Sequence, residues 1–161
     1  MKRRWISLAL LTALFGTGMH FLYDLWPNAL VGLFAPVNES VWEHLKLLYW
    51  PFLIFGGCLA KHADAPARTW SGVLLAQLVM PAALLSAYYV LRCGFLVTGL
   101  WVDVALYYLT VALGFYLCWR RSAAVCRERE LGILIALNGI YAMCLILFTL
   151  ATPNLPIFLT T

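Results

Sequence analysis

Leu131–Ala151 reads LGILIALNGIYAMCLILFTLA, a run without one charged residue. A helix needs about 20 mainly apolar residues to cross the hydrocarbon core of a bilayer, and this run has that length and character. The rest of the 161-residue chain agrees with it. Hydrophobic residues make up 64% and charged residues 11%, against roughly 25% charged in a soluble average. Mean hydropathy is +0.87. A water-soluble fold of this size has nowhere to hide so much apolar surface, whereas a bundle facing lipid has no need to.

Four further runs resemble the first: Trp5 to Leu25, Ser40 to Ala60, Trp70 to Leu91 and Trp101 to Trp119. Together they predict an all-α integral membrane bundle of five transmembrane helices, a single domain over residues 1–161. Lipid offers the backbone no hydrogen-bond partner, so every span is expected to be helical. Trp5, Trp26, Trp70, Trp101 and Trp119 mark several ends, as an interfacial aromatic belt requires. Met1-Lys-Arg-Arg before the first run fits the opening of a signal peptide. No small-residue cleavage site follows, however, and His20 and Asp24 stand where one is expected, so the segment reads as a retained span.

Orientation follows from the cations. Lys2, Arg3 and Arg4, then Lys61 and Arg68, then Arg120, Arg121, Arg127 and Arg129 fall in alternate connections. The opposite side has Arg92, and Lys46 lies inside a span. The positive-inside rule then predicts a cytoplasmic N-terminus and an outside C-terminus. Net charge is +4, but no basic patch with interleaved aromatics stands in a soluble segment, so nucleic-acid binding finds no support. The five cysteines are odd in number and form no CxxC pair, which disfavours a zinc or redox cysteine site.

Two outer segments, Pro27 to Val37 and Thr152 to Leu159, are too apolar for solvated loops and too short to span. They are expected either to lie along the interface or to fold back over the bundle. Pro51 and Pro81 fall within spans and deprive the carbonyls of Leu47 and Gln77 of their usual donors, a common kink in membrane helices.

Asp24, Glu39, Glu43, Asp103, His20 and His44 all fall near the outer ends of spans, with Lys46 slightly deeper. His20 and Asp24 are four apart and share a face on a continuous helix; Ser40 and His44 share another, beside Glu39, Glu43 and Lys46. Ionisable groups in a span cost several kcal/mol unless paired or wetted (~2.5–3.5 kcal/mol each on insertion scales), so these side chains are expected to converge. Structural roles compete with function. Ser40-x-x-Glu43 matches a capping box, Asn38 is an alternative cap, Glu39 suits the positive end of a helix dipole, and Lys46 can pair with Glu43 at i+3.

Two imidazoles with carboxylates are ligands for a divalent metal such as zinc, and His20, Asp24 and His44 are the expected ligands. Glu39, Glu43, His44 and Lys46 are the expected catalytic set, a carboxylate or imidazole serving as general acid-base with or without metal. No HExxH or other local metal signature is present. The cofactor is therefore left open.

The stretch FAPVNESVWEHLK (Phe34–Lys46), His20 in the first span and the tail PNLPIF (Pro153–Phe158) resemble an uncharacterised family of small bacterial multi-pass membrane proteins. That family carries a F-x-P-V-N-E-S-x-W-E-H-x-K signature. The resemblance implies a bacterial multi-pass protein and carries over no catalytic residue; the bacterial inner membrane is the expected location. The leading expectation is a membrane-embedded enzyme acting on a lipid or amphipathic substrate at an outer-leaflet polar site. A proton- or ion-coupled transporter or channel, and a non-catalytic partner subunit or assembly factor, are the alternatives. Membrane lipids are the expected surroundings in each case.

Overall fold

A computed structural model describes residues 2–159. Met1, Thr160 and Thr161, the ends of the expected domain, lie outside the described residues, as does the side chain of Lys2. Every element among the described residues is helical. In chain order they are α1 (Lys2–His20), α2 (Leu22–Leu25), α3 (Ala29–Phe34), α4 (Val41–Lys61), α5 (Pro66–Tyr89), α6 (Leu100–Ser122) and α7 (Glu128–Leu150), with a π turn at Val90–Gly94 and a 3-10 turn at Pro156–Phe158.

Three helical stretches are long and apolar enough to cross a membrane: Pro66–Gly94, Leu100–Ser122 and Glu128–Leu150, with hydropathies of 1.8, 1.6 and 2.3. The chain thus has helices of the kind a membrane protein needs. The other two long helices, α1 and α4, carry ionisable side chains as well. Arg3 and Arg4 open α1, while Glu43, His44 and Lys46 stand in the first turns of α4.

Local chemistry sets the boundaries. Ser40 caps α4 by accepting the Glu43 N–H (3.3 Å), and Asn28 caps α3 by accepting that of Val31 (3.0 Å). Pro66 begins α5, where a missing N–H is harmless. Glu128 and Glu130 in the first turn of α7, and Arg120 and Arg121 in the last turn of α6, match the helix dipoles.

One expectation needs correcting. The first helix does not continue to Leu25 but stops at His20, where the Phe21 N–H turns back to the Gly18 carbonyl (3.3 Å). Gly16 and Gly18 weaken the last turn and Pro27 follows shortly after, so the chain bends into the separate α2. Pro51 and Pro81, by contrast, sit inside uninterrupted α4 and α5.

Helices α4 and α5 form the centre, and α6 packs closely on α5. Leu45, Leu48, Phe52, Val73, Met80 and Leu145 are sealed in the interior. The closeness of α5 and α6 depends on Gly72, where a Cβ would lie 2.7 Å from the Cys118 carbonyl oxygen. Small residues at such crossings substitute for the hydrophobic drive that lipid removes. Polar cross-links at mid-bundle do the same. Asn138 on α7 donates to the Leu74 carbonyl (3.0 Å), Gln77 on α5 donates to that of Tyr49 (3.0 Å), and the Tyr49 hydroxyl donates to that of Asn138 (3.1 Å).

The two apolar segments, Pro27 to Val37 and Thr152 to Leu159, fold back over one end of this bundle. Phe34 packs edge-on to Trp50 with ring centres 5.0 Å apart. Phe158 of the tail sits 5.0 Å from Trp42 and 5.5 Å from Phe148.

Candidate metal centre at the polar end of the bundle

Three side chains from three segments meet at this end. His20 is the last residue of α1, Glu39 precedes the cap of α4, and His44 lies in the first turn of α4. Nε2 of His20 stands 3.8 Å from one oxygen of Glu39, and Nε2 of His44 stands 3.5 Å from the other. The imidazoles face each other with ring centres 5.1 Å apart and planes inclined by 38°. One ligand atom from each residue lies within 4.8 Å of the others. Ligand atoms around a tetrahedral zinc with bonds of ~2.1 Å stand roughly 3.4 Å apart, so little adjustment separates this set from a coordinating one.

The tautomer of His44 is fixed locally. Its Nδ1 lies 2.8 Å from the Ser40 carbonyl, an acceptor only, so Nδ1 carries the proton. Neutral His44 then turns the lone pair of Nε2 toward a carboxylate oxygen. Two acceptors face each other, and the contact calls for a positive charge between them, a proton or a metal ion. A carbonyl holding the far nitrogen is also the usual orienting partner of a metal-ligating histidine. His20 lacks the equivalent, since its Nδ1 is buried without a hydrogen-bond partner in the protein.

The set is open on one side. The Glu39 side chain is 68% exposed, against 28% for His20 and 32% for His44. Three protein ligands with an accessible face is the pattern of catalytic zinc, whose fourth position takes water or substrate.

The model of the "Family of unknown function (DUF6512)" matches residues 1–161. The chain belongs to the DUF6512 family. No curated protein and no solved structure matches it.

The remaining polar residues of the DUF6512 chain lie elsewhere. Asp24 is exposed on α2, beyond the bend that ends α1, and Asp103 is exposed in the first turn of α6. Neither belongs to the group of three. Glu43 and Lys46 form a second, sealed unit. Lys46 Nζ donates to Glu43 Oε2 (2.6 Å) and to the carbonyls of Gly32 (2.6 Å) and Ala35 (3.4 Å). Glu43 also accepts the Val37 N–H (3.0 Å) and the Thr149 hydroxyl (2.9 Å). Lys46 is fully buried and Glu43 nearly so.

All three ammonium protons are therefore engaged, and both carboxylate oxygens are occupied. This unit pins α3 and the tail-bearing end of α7 onto α4. The capping box forms by half: Ser40 caps Glu43, but the Ser40 N–H goes to Asn38 (2.9 Å) while the Glu43 carboxylate turns to Val37. Thr149 escaped the sequence reading, although it is the one hydroxyl in the last turn of α7. The DUF6512 chain thus separates its polar end into an open pair of histidines with a carboxylate and a closed ion pair.

Proposed function

We propose that this protein is a metal-dependent, membrane-embedded enzyme. It acts on a lipid or amphipathic substrate at the surface where His20, Glu39 and His44 meet. The observation that carries the reading is the convergence of their three ligand atoms within 4.8 Å on an accessible face. A zinc-class ion held there would polarise an ester or phosphoryl oxygen. His20 and His44 supply neutral nitrogens and Glu39 the charge that compensates the ion. Exposed Phe21 stands edge-on to His20 with ring centres 5.1 Å apart and gives the site an apolar neighbour, suited to a substrate that stays partly in lipid.

The reading includes five crossings, by α1, α4, α5, α6 and α7, in the inner membrane of a bacterium, with a cytoplasmic N-terminus. It is supported by the alternation of cations, with Arg3, Lys61, Arg68, Arg120 and Arg127 in one set of connections and the metal-ligating group near the other. In a chain otherwise free of cysteine, Asn154→Cys should react with a membrane-impermeant maleimide in intact cells. Ala124→Cys should react only after lysis.

The decisive test is metal content. Full-length protein purified without chelator and loaded with zinc should hold one ion per chain, and His20→Ala or His44→Ala should hold none while retaining its helical content. An equal metal content in wild type and both variants would overturn the assignment. Ion transport and a purely structural subunit role are the alternatives. The saturated hydrogen bonding of Lys46 and Glu43 does not favour a relay through them.

A further inference from the structure

Helices α1 and α6 meet at one level and separate at another. They touch where the Tyr107 hydroxyl donates to the Ala13 carbonyl (3.2 Å) and the hydroxyls of Tyr108 and Thr17 lie 3.2 Å apart. Toward the start of α1 and the end of α6 the space between them becomes an open groove of about 710 Å³. Its walls are apolar: Ala9 on one helix, Val111, Ala112 and Phe115 on the other, with Trp5 and Trp119 at the mouth. Neither the metal-ligating group nor the sealed ion pair belongs to its lining.

The length of the groove distinguishes among occupants. Trp5 to Ala13 covers about 12 Å along α1, and Tyr108 to Ser122 about 21 Å along α6, at 1.5 Å per residue. One leaflet contributes about 15 Å of the roughly 30 Å hydrocarbon core. The groove therefore fits one acyl chain ending near mid-bilayer, where Tyr107 and Tyr108 close it. A spanning helix of a partner would need twice that length.

Charge at the mouth selects the headgroup. Arg3 stands three residues before Ile6 and Arg120 four after Tyr116, both lining residues, so each extends the groove face of its helix. Arg4 adjoins Trp5. All three are exposed, and among the described residues the arginine paired with a carboxylate is Arg121, with Glu130. Basic clusters at the end of an apolar cleft between membrane helices suit anionic lipid headgroups.

We propose that this groove is a binding site for an anionic phospholipid, one acyl chain lying between α1 and α6 and the phosphate held among Arg3, Arg4 and Arg120. The proposal is independent of the metal site. Its test is native mass spectrometry of the full chain in neutral detergent, titrated with phosphatidylglycerol or phosphatidylcholine. Wild type should retain one phosphatidylglycerol with at least about tenfold preference, as three cations at a membrane surface predict. Combined Arg3→Gln, Arg4→Gln and Arg120→Gln should erase the preference. Ala112→Trp, which fills an exposed part of the groove, should reduce retention of both lipids. Equal retention of the two lipids by wild type overturns the proposal. So does lipid retention unmoved by Ala112→Trp, which would mean surface attraction without a seat, and so does a groove covered by a second copy of the chain.

Discussion

Nζ of Lys46 lies 2.6 Å from Oε2 of Glu43, and both side chains are shut away from the surroundings. Two ions without solvent cost several kcal/mol each before their attraction is counted. Here the deficit is offset by the Gly32 and Ala35 carbonyls, the Val37 N–H and the Thr149 hydroxyl.

Removing one partner of this pair should therefore hurt more than removing both. Lys46→Met is expected to destabilise the fold by about 3–5 kcal/mol, because Glu43 is left buried and uncompensated. Lys46→Met combined with Glu43→Gln should cost clearly less than the two single changes summed. A double-mutant cycle on reversible unfolding in mixed micelles measures the difference, and strict additivity would mean that the pair is not coupled.

The group of His20, Glu39 and His44 should behave differently under the same measurement. These side chains are partly exposed and cross-link little, so His44→Ala is expected to change stability by under about 1 kcal/mol. It should weaken zinc or cobalt binding at least about a hundredfold. Glu39→Gln keeps the shape but removes the compensating charge, and should weaken binding while leaving the two imidazoles in place. Calorimetric titration of each variant distinguishes these outcomes.

Metal binding should fall with acidification. The imidazole nitrogens that face the ion take it up only when neutral, so protons compete for both. Acidification should release a bound cobalt ion reversibly, followed by its visible absorption. An unchanged spectrum on acidification would point to ligands other than histidine.

Pro51 leaves the Leu47 carbonyl without its helical donor, and the Tyr107 hydroxyl comes to 3.5 Å from it while bonding to Ala13. That meeting of α1, α4 and α6 requires Gly16. A Cβ there would collide with the Tyr107 hydroxyl and stand 2.8 Å from the Leu47 oxygen. Gly16→Ala is expected to cost about 1–3 kcal/mol by overpacking. In a Tyr107→Phe background the penalty should be smaller, since the nearest obstacle is gone. Thermal unfolding of the two singles and the double variant tests this.

The membrane character, the start of α6 beside Trp101 and the nearness of His20 to His44 could be read from the residues in order, while α5 begins four residues before Trp70 and α6 runs three beyond Trp119. The division of the acids could not. Glu39, Glu43 and Lys46 look like one stripe when counted along a helix, yet α4 begins only at Val41. Glu39 therefore lies before the cap, on chain whose direction is set by Asn38 and Ser40. It faces the histidines while Glu43 faces the interior. Asp24 illustrates the same limit, because the four-residue spacing from His20 has meaning only on an unbroken helix. Backbone carbonyls as partners of Lys46 leave no mark in a sequence at all, since every residue has one.

The Thr149 hydroxyl reaches Glu43 across 106 residues of chain. During synthesis the ribosome delivers α4 long before α7, and segments emerging first organise first. Until the final helix is threaded into the bilayer, one oxygen of that carboxylate waits without its donor. A polypeptide ending before Thr149 thus lacks the donor to that oxygen and leaves the Glu43 carboxylate with Lys46 and the Val37 N–H as its partners.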